Sequence, residues 1–322
     1  MSVAMKRRDL LIRLGLLAGG LGAAWWVRDH LLWPAPGIAF AGEVESTGWT
    51  PYVARASTPT VRVRLAGREV AALVDSGAQY SVIDRALVAS LTAAGADLPV
   101  FEIPMVAFGV GGQPQVGRGV TLDVGIGPLR LNRLRAAVLD LGPLASPEGL
   151  GTPLILGQDV LRLLTLDLDT ERRRLRLSRS HAHSPAADLH ALETRLKGGA
   201  LSLAVEVEGR SLEAVIDTGA SALLSLSQDA AAEAGLLDGR PARPGTSIVL
   251  GGAIASTVVE AADISIGGTV HRAAQVPIYA DVRLPGFPRA LVGMGAFEGR
   301  RVRLDLGAGD LSVSRALEVT VA

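Results

Sequence analysis

Residues 212–221 read LEAVIDTGAS: an apolar run, then an Asp, a Thr and a Gly. The question is why an apolar strand should end on a carboxylate, and whether Asp217 has a partner. Residues 203–219, LAVEVEGRSLEAVIDTG, align without a gap on residues 61–77, VRVRLAGREVAALVDSG. Gly67 matches Gly209, Arg68 matches Arg210 and Asp75 matches Asp217. Each copy is two apolar runs around a Gly-Arg turn, the signature of a β-hairpin. Each then ends Asp-Ser/Thr-Gly-Ala and runs into a helix-like stretch, IDRALVASLTAAGA (83–96) and SLSQDAAAEAGL (225–236).

The repeat continues downstream. PLILGQDVLRLLTLDLD (153–169) is echoed by RALVGMGAFEGRRVRLDLG (289–307). Both have two apolar residues and a Gly, Ile155-Leu156-Gly157 and Leu291-Val292-Gly293, then the same Leu-Asp-Leu. Alternating strands close the two copies, RLRLS and DLSVS. Between the copies lies RSHAHSPAADLHALETRLKGG (179–199), a polar stretch that reads as a linker with at most a helical turn. One fold is therefore used twice. With 38 Gly breaking short apolar runs, that fold reads as all-β. The expected organisation is a signal or membrane anchor and linker at 1–50, a first domain at 51–178, the linker at 179–199, and a second domain at 200–322.

A lone Asp-Ser/Thr-Gly is an ordinary turn. Two copies at matching positions after apolar strands, each with a later apolar-apolar-Gly, ask for more than a turn. This pattern resembles the retropepsin-like aspartic proteases. It spans about 58–178 and 200–315 of this chain. The resemblance implies two tandem β-barrel-like domains forming a pseudo-two-fold pair within one chain. It implies a polypeptide substrate and needs no cofactor and no metal. Asp75 and Asp217 would be the catalytic pair: two carboxylates about 3 Å apart cannot both ionise, so they share one proton and activate a water. The pair titrates as a unit. Ser76 and Thr218 would hydrogen-bond across to the opposite loop. Gly77 and Gly219 would remove side chains where backbone approaches backbone.

Ala78 and Ala220 stand where pepsin-like members often carry a hydroxyl that lowers the carboxylate pKa. Their absence of a hydroxyl implies a dyad that titrates higher, with activity at mildly acidic to near-neutral pH. FGVGGQPQ (108–115) and VLGGAIAS (249–256) fall where the family has its flaps. Gly109, Val110, Gly111 and Gly112 in the first copy, and Leu250, Gly251 and Gly252 in the second, would close over substrate. The second copy departs from the pattern, with Leu223 where the first has Ser81 and Gly295 where the first has Asp159. Two alternatives follow from that drift: a silent peptide-binding or protein-binding module of the same fold, or a homodimeric protease using only the first domain.

Composition removes other classes. Lys plus Arg and Asp plus Glu are 32 each, so no net charge draws the chain to nucleic acid. Cys is absent, which excludes disulfides, thiol catalysis and Cys-ligated zinc. His181, His183 and His190 read as solvated linker histidines rather than a metal site. Gly109-Val110-Gly111 lacks the strand–helix setting of a nucleotide fingerprint. The N-terminus carries Lys6, Arg7, Arg8 and Arg13, followed by an uncharged run at 14–27 with Trp25 and Trp26 near its end. KRRDLLI resembles a twin-arginine export signal, with Lys6 in the place of the usual Ser or Thr. The expectation is a periplasmic or other extracytoplasmic protein. Both an anchor and a signal cleaved near Ala39, Phe40 and Ala41 are open, with the anchor preferred.

Overall fold

A computed structural model of the chain describes residues 33–54, 56–108, 114–180, 188–197, 199–249, 252–281 and 287–315. Among the described residues the strands fall into three sheets, and helices are short. Each half of the repeat builds one eight-stranded sheet. The all-β reading and the tandem two-domain arrangement both hold.

The hairpins seen in the sequence are there. Thr60–Leu65 pairs with Arg68–Val74, and Ala200–Val207 pairs with Arg210–Ile216. Their turns are Ala66-Gly67 and Glu208-Gly209, with φ of 48° and 78°, and 48° and 77°. Two successive left-handed residues match the right-handed twist of the flanking strands, which is why Gly stands second in both copies. Val61, Val63 and Leu65 alternate inward to the core while Arg62 and Arg64 face water. Each sheet then curls on itself: Thr60–Leu65 also pairs with Pro114–Ile126, and Ala200–Val207 with Gly252–Ile266.

The apolar-apolar-Gly segments form the central strands. Leu154–Leu156 lies parallel to Arg68–Val74 and antiparallel to Val82–Asp84. Ala290–Val292 repeats this between Arg210–Ile216 and Leu224–Ser227. The helices begin where expected. Asp84 caps Arg85–Ala93 by accepting from the N–H groups of Ala86 and Leu87, and Ser227 caps Gln228–Glu233 by accepting from Ala230 N–H.

The third sheet has six strands and joins the halves. At its centre Leu164–Asp169 pairs antiparallel with Arg301–Asp305. Leu166 faces Leu304, Thr165 faces Asp305 and Asp167 faces Arg303. These are equivalent residues of the two copies meeting reciprocally, so the pseudo-two-fold axis passes between Leu166 and Leu304. Thr165 donates to Asp305 at 2.8 Å and Arg303 donates to Asp167 at 3.0 Å, so the buried polar groups at this seam are paired.

Two stretches expected to lie outside the fold belong to it. Gly37–Phe40 pairs with Leu129–Leu139, and Thr50–Pro51 pairs with Arg174–Arg179. The expected linker holds Leu189–Leu192, paired with Asp310–Ser314, and Arg195–Lys197, paired with Ala200–Val207. Strands thus stand at 189–192 and 195–197 of that stretch, and residues 181–187 lie outside the described residues. The segment ahead of each half thus supplies an edge strand to the shared sheet. Among the described residues no helix is long and apolar enough to cross a membrane. The apolar run 14–27 lies outside the described residues.

Candidate active site

Asp75 and Asp217 sit at the ends of equivalent strands, each held by the central strand beside it. Asp75 N–H donates to Leu156 C=O and Asp217 N–H to Val292 C=O, both at 2.9 Å. The next residues tie the two loops together. Ser76 N–H donates to Thr218 Oγ1 at 2.9 Å, and Thr218 N–H to Ser76 Oγ at 3.0 Å. Ser76 Oγ donates to Ile216 C=O at 2.8 Å, and Thr218 Oγ1 to Val74 C=O at 2.7 Å. Both side chains are buried, and every bond has its mirror partner.

This grip presses each glycine against the opposite carboxyl. A Cβ built on Gly77 would lie 2.7 Å from Asp217 Cγ, and one on Gly219 would lie 2.6 Å from Asp75 Cγ. No side chain fits at either place. Their backbone groups serve instead. Gly77 N–H donates to Asp75 Oδ1 at 2.8 Å, Ala78 N–H to the same oxygen at 3.2 Å, and Gly219 N–H to Asp217 Oδ1 at 2.9 Å. Ala220 N–H donates to the Asp217 carbonyl at 3.2 Å. The expected constellation of Asp75, Ser76, Gly77, Ala78, Asp217, Thr218, Gly219 and Ala220 therefore meets in one place.

The two carboxyls lie close enough to shift each other's titration. Burial pushes both above the usual carboxylate range. Both residues stay partly open to water, so the desolvation falls short of full burial. Asp75 is pulled back by donors from Gly77, Asp217, Ala78 and Gly219. Asp217 is driven further up, because Asp75's charge and hydrogen bond add to burial. The arrangement favours one proton shared by the pair, with both carboxyls raised and Asp217 the more so.

Other residues brace this floor. Gln158 Nε2 donates to Ser76 C=O at 2.8 Å. Ser81 Oγ donates to Asp159 Oδ1 at 2.8 Å and accepts from Gly157 N–H at 3.2 Å. In the second half no such polar brace can form at Leu223 and Gly295. Close backbone packing replaces it: a Cβ on Gly295 would lie 2.8 Å from Leu223 N and 3.0 Å from Ala222 C. Leu223 packs on the main core, and Gly293 N–H donates to its carbonyl at 3.2 Å. The departures at Leu223 and Gly295 thus change how the loop is supported, and Asp217 is held all the same. Gln158 follows directly on the Gly of the first copy, a position that flags it in the sequence. Trp33, which donates to Asp159 at 3.3 Å, carries no such signal.

Of the expected flaps, Gly109, Val110, Gly111, Gly112, Leu250 and Gly251 lie outside the described residues. Their hairpin arms are described. Phe108 pairs with Pro114 in the first copy, and Val249 pairs with Gly252 in the second. The second hairpin's strands, Ala242–Val249 and Gly252–Ile266, come against the turn Gly142–Leu144 of the first half. His190 lies exposed in strand Leu189–Leu192, and His181 and His183 lie outside the described residues. Among the described residues no group of side chains could hold a metal ion.

Two equivalent β-domains that bring one Asp each to a shared, proton-sharing floor define an aspartic-type hydrolase. The aspartyl protease family model matches residues 61–160 and again residues 203–296, so the chain belongs to that family, in two copies. No curated protein matches the chain.

Proposed function

We propose that the chain is an aspartic endopeptidase acting on exported or membrane-bound polypeptides, with Asp75 and Asp217 as its catalytic pair. The reciprocal grip between Ser76 and Thr218 carries this reading, because it ties the two Asp loops together and sets their carboxyls side by side. A water between the carboxyls gives a proton to Asp75 as its oxygen attacks the scissile carbonyl carbon. Asp217 gives its proton to the carbonyl oxygen, and a tetrahedral diol forms with no covalent bond to the chain. Collapse follows when Asp75 passes its proton to the amine nitrogen and Asp217 takes one back from a diol hydroxyl. One proton again remains on the pair.

The pH profile tests this. Cleavage falls on the acid side as the pair takes up a second proton and on the alkaline side as it loses the shared one. Both limbs lie above those of free carboxylates, which titrate near 4, because burial raises both groups. Initial rates on a quenched peptide library between about pH 3 and 8 should peak at mildly acidic to near-neutral pH. Full activity only below about pH 3 would count against the assignment.

The location rests on the N-terminus. The basic flank with the uncharged run 14–27 supports a chain anchored in a membrane with its domains on the extracytoplasmic side. Tethering favours clipping of neighbouring proteins over bulk digestion. In fractionated cells the mature protein should sediment with membranes and need detergent for release. Recovery in the soluble fraction removes the basis for a tether.

A further inference from the structure

Successive residues of a strand point to opposite faces. Asp75 therefore leaves its sheet on the face that carries Leu73. The pairing extends that face across the first half: Leu73 lies beside Ile155, Ile155 beside Val82 and Val82 beside Ala137, with Leu139 two residues further on. These residues form an apolar cluster apart from the main core, which takes Ala72, Val74 and Leu156 from the other face. The second half shows where this face looks. Tyr279 there stands where Leu139 stands here, each beside a helix-capping residue, Ser227 and Asp84. After burial, the charge of Asp217 is the main influence raising the Tyr279 phenol. Because Asp75 leaves from the same face as Leu73, that face lies next to the dyad.

The two halves treat this face differently. In the second half Val215, Ser225 and Pro277 are half-open, while Leu291, the counterpart of Ile155, is buried as Ile155 is. In the first half Leu73, Val82, Ala137 and Ile155 are all buried. Trp33 belongs to the cluster that covers them, is itself 5% exposed, and comes from the segment ahead of the domain. Its ring stacks tilted on Tyr80 at 4.9 Å and meets Phe101 edge-on at 5.8 Å. Its Nε1–H donates to Asp159, which also receives Ser81 beside the Asp75 loop. A ring that is buried, packed on two aromatic rings and pinned by a hydrogen bond is a fixed part of this face.

We infer that Trp33 is a specificity-determining plug: it fills the apolar pocket on the first-half side of the dyad, so that a bulky apolar substrate side chain is admitted only on the second-half side. This rests on the proposed peptidase reading for its substrate class. The chain would then prefer a small residue on one side of the scissile bond and a large apolar one on the other, an asymmetry built into a nearly symmetric floor.

The test separates binding from turnover. Fluorescent hexapeptides carrying Phe or Ala at each position are titrated by anisotropy against the detergent-solubilised full chain in an Asp217→Asn background. Trp33→Ala should bind peptides with Phe at the first-half position at least about tenfold tighter, with the Ala peptides unchanged. Trp33→Phe keeps a ring but loses the N–H, and should keep the parent preference. If Trp33→Ala melts without a cooperative transition, Trp33→Leu decides instead, with a smaller gain in the same peptides. An equal change for Phe and Ala peptides, no change, or no binding by any form overturns the plug. A chain with native Asp217 that cleaves nothing refutes the peptidase reading, and the binding comparison still decides Trp33.

Discussion

Asp75→Asn and Asp217→Asn should each lower peptide cleavage on the order of 10³–10⁴-fold, and the double variant should be little worse than either. The two carboxyls act as one unit, so removing one leaves the other without a proton partner. Mixing the two single variants should restore nothing, because Ser76 and Thr218 tie both loops within one chain. Restored cleavage on mixing would point to a dyad formed between chains. A loss confined to Asp75→Asn would point to a homodimer of first halves. Undiminished function in both variants would leave a binding module.

The same variants carry a stability signature that separates a strained pair from a merely buried one. Both carboxyls are raised in the folded chain. A raised acid stabilises least at high pH: the fold is fully supported below the unfolded pKa near 4 and loses support as pH climbs toward the folded values. Asn carries no such penalty. Asp217→Asn should therefore melt higher than the parent at pH 7 to 8, and the gap should close as pH falls to about 4. Thermal melts by circular dichroism measure this. A lower melting temperature at pH 7 together with full loss of cleavage would show that the Asp217 carboxyl supports the fold rather than straining it.

Much of this site could be read along the chain, and the reason is locality. The Asp, the hydroxyl and the Gly are consecutive in both copies, and the period-two strands before them announce themselves. The repeat also made each copy a control on the other. Strands at 37–40, 50–51, 189–192 and 195–197 escaped because they are short edge strands. The partners of the first three lie far away in sequence, as with Leu189 opposite Ser314; the fourth pairs with its neighbour at 200–202, and all four have too few residues to show a period. Trp33 escaped for the same reason: its hydrogen-bond partner is 126 residues on. Leu223 and Gly295 read as drift because a polar brace is visible as residue types. The backbone contact that replaces it, between Gly295 and the chain at 222–223, leaves only a glycine behind.

The grip itself offers the second large effect. Thr218→Val is nearly isosteric, so it opens no cavity and changes only the hydroxyl. It strands two buried backbone groups, the Val74 carbonyl and the Ser76 N–H, which now meet Thr218 Oγ1 at 2.7 and 2.9 Å. Each stranded group costs about 1–3 kcal/mol, so unfolding free energy from denaturant titration should fall by about 2–6 kcal/mol. Thr218→Ser keeps both bonds and should cost about 1 kcal/mol or less. Catalysis should drop with the valine by roughly 10²-fold, because the loops that aim the two carboxyls are no longer tied and a shift near 1 Å is that expensive. Ser76→Ala strands the mirror pair, the Ile216 carbonyl and the Thr218 N–H, and should match it in size. The double variant should lose less than the sum, since the four bonds share one interface between two loops and its first breach already loosens the second. Strict additivity, or a valine variant within about 0.5 kcal/mol of the parent, would mean that packing beneath the loops, from Ile155 and Leu156 and from Leu291 and Val292, holds the dyad without the hydroxyls.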